Sequence, residues 1–259
     1  MDTTDPADPA VQAQQDRSRL WRAFNASLAL VAVLLVCFSA QQYMDWRPLA
    51  VAPQTLPGLA GLLGAPLLHG SLKHLAANAS ALLILGTLAG SVYPKASVRA
   101  LPLLWLGGGI GAWLLGAPGS HHLGASGLTH ALMFLILGLG LLRRDRAAIA
   151  TGMIAVLFYG SMVLTVLPGE PGVSWQSHLG GAVAGLLAAL IWRRADPALP
   201  RKRYSWEDEA DLPPDPVLDD SLEQRAGHDV PVLWQGPSRD AERGTVLPFR
   251  RPGDPPAAP

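Results

Sequence analysis

Between Asp45 and Asp145 the chain contains no Asp or Glu, and the next acidic residue is Glu170. Within and around that acid-free stretch lie six apolar segments, near 24–41, 74–93, 98–117, 126–142, 147–167 and 176–192. Most approach the roughly 20 residues needed to span a bilayer, and the fourth and sixth are somewhat short. Hydrocarbon offers no water to backbone N–H and C=O groups, so segments like these cross as helices. The composition agrees, with 49% hydrophobic and only 15% charged residues. The expected fold is therefore all-α: a polytopic six-helix transmembrane bundle over residues 21–195. A polar N-terminus (1–20) and a Pro- and charge-rich tail (196–259) flank it. Neither flank holds enough apolar surface to fold alone, and both are expected to be disordered.

The formal net charge is zero because acids in the two ends balance the bases, so it carries no information about partners, and nothing points to nucleic acid. A single cysteine, Cys37, rules out an intrachain disulfide framework and reads as a small buried hydrophobe. The first apolar segment follows an acidic start, and no small-residue cleavage site stands out after Gln41-Gln42-Tyr43. It reads as a first transmembrane helix, not a removed signal.

Basic residues set the orientation. Arg17, Arg19 and Arg22 precede the first segment, Lys95 and Arg99 separate the second and third, and Arg143, Arg144 and Arg146 separate the fourth and fifth. Arg193, Arg194, Arg201, Lys202 and Arg203 follow the sixth, whereas the alternate loops carry only Arg47, with Lys73 at a helix lip. The positive-inside rule puts both termini in the cytoplasm and the loops 46–68, 118–125 and 168–175 outside.

That topology brings polar groups to one depth. Ser126, between Gly124-Ala125 and Gly127, opens segment four; His178 opens segment six; His74 and Asn78 lie at the outer end of segment two, just after His69. Polar groups inside a membrane protein mark functional sites by default. A serine needs a base, and a neutral imidazole serves near neutral pH. Gly181 and Gly185 fall on the helix face of His178, which lets another helix approach closely. The same glycines are also readable as packing beside an incidental histidine. No carboxylate is available within the membrane segments to orient the base, so the chemistry would be a Ser-His dyad, departing from the three-residue template. His130 shares the serine's helix face and either stacks on His178 or is a polar residue satisfied within the bundle. His74, Asn78 and the Ser126 N–H are candidate oxyanion donors. Asn78 is alternatively an interhelical hydrogen bonder, and His69 reads as structural. His121 and His122 read as exposed loop residues, and His228 belongs to the tail.

Three motifs carry a resemblance: His69-Gly-Ser-Leu-Lys-His74-Leu-Ala-Ala-Asn78, Gly124-Ala-Ser126-Gly127, and His178 with Gly181 and Gly185. In this order, on segments two, four and six, they resemble the bacterial rhomboid intramembrane serine proteases over about residues 20–195. The resemblance implies a cavity opening outward and a multi-pass protein of the inner (cytoplasmic) membrane. It also implies a serine endopeptidase that cleaves transmembrane protein substrates within the lipid bilayer, without cofactor or metal. Ser126 would be nucleophile, His178 general base, and His74 and Asn78 oxyanion donors; His69, Gly124, Gly127, His130, Gly181 and Gly185 would support them. Two departures stand out. The family often has Tyr where this chain has His130, and Trp46-Arg47 falls early for the Trp-Arg pair often found in the first outer loop.

Two other classes bear weighing. A catalytically silent rhomboid-like protein that binds membrane clients usually lacks the Ser or His, and both are present here. A metal site or transporter built on His69, His74, His130 and His178 is chemically reasonable, but no carboxylate or cysteine cluster joins them.

Overall fold

A computed structural model of the protein describes residues 9–197. Among these the chain forms six long helices: α1 (Pro9–Ala40), α2 (Leu72–Val92), α3 (Pro94–Leu115), α4 (Ser126–Arg143), α5 (Arg146–Tyr159) and α6 (Trp175–Trp192). A 3₁₀ stretch, Gly160–Val166, prolongs α5. The only departure from helix and loop among the described residues is an isolated antiparallel bridge between Val51 and His122. Five helices are long and apolar enough to cross a membrane, the fifth running from Arg146 through Val166. Helix α6 is not among them; its 18 residues open on Trp175, Gln176, Ser177 and His178, which are less apolar than the rest. The expected all-helical membrane architecture holds.

Local chemistry sets the helix boundaries. The Ser71 hydroxyl accepts from the His74 N–H at the start of α2, and the Asp145 carboxylate accepts from Ala148 N–H at the start of α5. Ser174 does the same for Ser177 at the start of α6. Such caps satisfy N–H groups that a helix start leaves unpaired. Pro94 opens α3, where its missing N–H costs nothing.

The N-terminal expectation needs correction. Helix α1 begins at Pro9, inside the stretch 1–20 that was expected to be disordered. From Ala10 to Leu20 there is no Gly or Pro, and Ala, Gln and Arg dominate, all good helix formers. At ~1.5 Å per residue, its 32 residues exceed the ~30 Å hydrocarbon thickness, so a polar helical extension stands outside the apolar run. The tail from 198 onward, including His228, lies outside the described residues, as do residues 1–8.

Helix α4 is the core. Ala131, Met133, Leu135, Ile136 and Leu139 are fully buried, and the helix packs against α6, α5, α3 and α2. Helix α6 lies between α3 and α4 on two glycine seams. A Cβ at Gly181 would strike the Gly127 carbonyl, and one at Gly185 the Ala131 carbonyl. On the other side, a Cβ at Gly180 would stand 2.7 Å from the Gly111 Cα. Only hydrogen fits there, which holds the first turns of α4 and α6 side by side. The segment between α1 and α2 is wound into short turns against α3. There Trp105 Nε1–H donates to the Leu63 carbonyl (3.2 Å) and Trp113 Nε1–H to that of Thr55 (2.9 Å).

Candidate active site

Gly124 has φ +117, a conformation that L side chains rarely adopt, and its N–H donates to the Ala65 carbonyl at 2.8 Å. This turn delivers Ser126 as the first residue of α4. The His74 ring packs on Gly124, where a Cβ would collide with it. Gly127 is equally constrained: a Cβ would meet Ser177 Oγ at 2.6 Å and the Gly108 Cα at 2.8 Å.

A cavity of about 780 Å³ lies above this turn, and Ser126, His74 and His178 all line it, with Ser174 and Trp175 from the start of α6. Asn78, one turn further along α2, is buried and not part of the cavity wall. Its Nδ2 has no hydrogen-bond partner. No hydrogen bond joins Ser126 to His178, although both line the cavity. Catalytic hydrogen bonds in unliganded enzymes are often long and tighten with substrate.

His178 is held on two sides. Its Nδ1 lies 3.0 Å from the Thr165 carbonyl. A carbonyl only accepts, so Nδ1 carries the proton and a neutral ring keeps its lone pair on Nε2. The His130 ring stacks on the other face, centroids 3.9 Å apart and planes 13° from parallel. His130 is itself fixed: Nδ1–H donates to the Ser126 carbonyl (2.7 Å), and Nε2 lies 2.8 Å from Thr165 Oγ1. Thr165 therefore touches both histidines, one through its carbonyl and one through its hydroxyl. Reading the polar groups of segment five by depth would have drawn attention to the Thr165 hydroxyl, though not to its carbonyl.

His69 is buried outside the apolar spans and packs edge-on to His74, centroids 5.1 Å apart. Its Nε2 accepts from the Ala125 N–H at 3.4 Å, directly before the serine. Burial, reinforced by the neighbouring His74, pushes its pKa down to about 4, so the ring is neutral. The Gln41 side chain clamps the His69 backbone, donating to its carbonyl and accepting from its N–H, both at 3.0 Å. Sequence reading missed that clamp.

His121 is exposed, as expected, but His122 is not. The His122 ring bonds Ser120 Oγ (2.9 Å) and Ser174 Oγ (2.6 Å), and its backbone pairs with Val51. Burial, then the charge of His121, lowers its pKa. The expectation of an exposed loop residue fails because His122 ties the loop before α4 to the cap of α6.

The family model "Rhomboid domain" matches residues 57–195. The chain belongs to the rhomboid family. Members of this family are generally serine intramembrane proteases acting on transmembrane substrates. Two uncharacterized mycobacterial proteins, from Mycobacterium tuberculosis and Mycobacterium bovis, are each 40% identical over 149 residues. The match covers 54% of this chain and 62% of each relative. An uncharacterized protein of Mycobacterium leprae is 37% identical over 141 residues, 51% of this chain and 56% of its own. The chain thus spans about six-tenths of the length of the curated relatives it matches. Within this rhomboid domain fall all the residues gathered at the cavity, from Gly70 to His178.

Proposed function

We propose that this rhomboid is an active intramembrane serine endopeptidase that cleaves membrane-anchored proteins in or near their transmembrane segments. The observation that supports it best is the bond from His178 Nδ1–H to the Thr165 carbonyl. It leaves Nε2 as the basic nitrogen of a residue that lines the same cavity as Ser126. In this reading Ser126 Oγ attacks the scissile carbonyl and passes its proton to His178 Nε2. The imidazolium keeps its Nδ1–H bond to Thr165, and the stacked His130 ring holds its plane. His178 then returns the proton to the leaving amine, and a water activated by the same Nε2 hydrolyses the acyl-enzyme.

The developing oxyanion needs donors. His74, on the cavity wall with Ser126, and the Ser126 N–H are the first candidates. Asn78 Nδ2 joins them in the proposal because it is a buried donor with no acceptor. Leaving such a group unpaired costs roughly 1–3 kcal/mol, a cost removed when an anion arrives. His69, Gly124 and Gly127 shape the serine turn, and Gly181 and Gly185 bring α6 against it.

Helix α6 is proposed as the sixth crossing, giving a membrane domain over 21–195 with both termini in the cytoplasm. The cavity then opens on the outer side of the inner membrane, where a transmembrane substrate could bend into it. Labelling by a serine-reactive fluorophosphonate tests the activated serine. The purified protein is expected to label and Ser126→Ala not to; a wild type that does not label would favour a catalytically silent client-binding rhomboid.

A further inference from the structure

An apolar groove of about 710 Å³ runs between α4 and α5, on a different part of the surface from the catalytic cavity. Leu137 and Leu141 form one wall, and Met153 and Leu157 the other. Its floor is the close approach of Gly140 and Gly152, where a Cβ on Gly152 would sit 3.8 Å from the Gly140 Cα. The walls are open: Leu141, Met153 and Leu157 are 64%, 67% and 80% exposed. An apolar slot open along a membrane-crossing pair of helices is a place for hydrocarbon.

One end of the groove is cationic. Arg144 takes the left-handed conformation (φ 56) and its Nε–H donates to the Leu141 carbonyl at 3.2 Å, which sets the guanidinium over a residue of the groove wall. Arg146 opens α5 beside it and is exposed. The third arginine is engaged elsewhere: Arg143 pairs with Asp145 at 2.9 Å and donates to the Asp196 and Pro197 carbonyls. Asp145 is answered by Arg143 and by the Ala148 N–H. Among the described residues neither Arg144 nor Arg146 pairs with a carboxylate.

We propose that this groove binds an anionic phospholipid, one acyl chain lying along the Gly140–Gly152 floor and the phosphate held between Arg144 and Arg146. Both halves of the site are needed to choose the occupant. A transmembrane helix from a second copy would fill the slot and leave two guanidinium groups unanswered. The chain's own acidic residues beyond 206 could answer the arginines and leave the slot empty. An anionic amphiphile satisfies both, and basic pockets between helices at the cytoplasmic face suit such headgroups.

The test uses the full chain, purified in mild detergent, stripped of lipid and offered an equal mixture of phosphatidylglycerol and phosphatidylcholine with identical acyl chains. Native mass spectrometry counts what is retained. Phosphatidylglycerol is expected to be favoured on the order of tenfold. The double variant Arg144→Gln/Arg146→Gln should retain the two lipids equally. Met153→Trp, at a wall position exposed enough to fold, should lower retention of both. Equal retention by the wild type, which is also what a tail or a second copy occupying the site would give, overturns the proposal. So does undiminished phosphatidylglycerol retention in either variant.

Discussion

The His130 ring lies flat on that of His178, 3.9 Å away, while the His130 Nδ1–H donates to the backbone carbonyl of Ser126, the residue that shares the cavity with His178. One imidazole therefore spans both members of the proposed dyad. It occupies the position where the rhomboid proteases that this chain resembles often have a tyrosine.

From this we expect His130→Tyr to keep most activity, because the ring can still stack. His130→Ala loses the stack and both hydrogen bonds and should lower kcat on the order of 100-fold, given ~0.5–1.5 kcal/mol for an aromatic pair and about 1 for each bond. Steady-state cleavage by the two variants checks it. An Ala variant as active as the wild type would mean that His130 does not position His178.

The glycine seam between α4 and α6 gives a packing prediction. Gly181→Ala places a methyl against the Gly127 carbonyl, one residue from Ser126. Overpacking of this kind costs about 1–3 kcal/mol, and here it also moves His178 relative to the serine. Lower thermal stability in detergent and lower kcat are expected together. Gly119→Ala, outside any seam and not part of the cavity wall, has open space around it but φ +79, and should affect stability alone.

Asp196 offers a contrast far from the cavity. Its two carboxylate oxygens accept from the Lys95 and Ala96 N–H groups, each at 2.9 Å, so the segment that follows α6 caps the start of α3. Loss of a helix cap costs ~0.5–2 kcal/mol. Asp196→Ala should lower the melting temperature, while the folded fraction keeps its wild-type rate per molecule.

His69 makes stability depend on pH. Burial sets its folded pKa at about 4, below the ordinary histidine value of 6.5, so the unfolded chain binds the extra proton first as pH falls. The contribution is complete above pH 6.5 and declines as pH falls toward 4. Melting temperatures across that window should fall more steeply for the wild type than for His69→Gln. Parallel curves would contradict it.

The parts of this molecule that were legible in the sequence are those that depend on patterns along one helix. The apolar segments, the meeting of Ser126 and His178 at one cavity, and the glycines beside His178 needed only periodicity and the distribution of charge. The parts that escaped depend on chain meeting chain. The group that orients His178 is a backbone carbonyl, which every residue has; only the loosening of α5 into a 3₁₀ stretch at Gly160 brings that of Thr165 to the ring. The Asp196 cap joins residues about a hundred positions apart. His122 looked like loop because nothing local announces its pairing with Val51 or with Ser174. Polar composition misled at residues 9–20, where helix-forming side chains extend α1 beyond its apolar run.

The most direct test reconstitutes the purified chain in liposomes with a transmembrane reporter and follows its cleavage. The wild type should cut the reporter, while Ser126→Ala and His178→Ala, though folded and inserted, should each leave it intact. Cleavage at the wild-type rate by either variant would contradict the Ser126–His178 assignment.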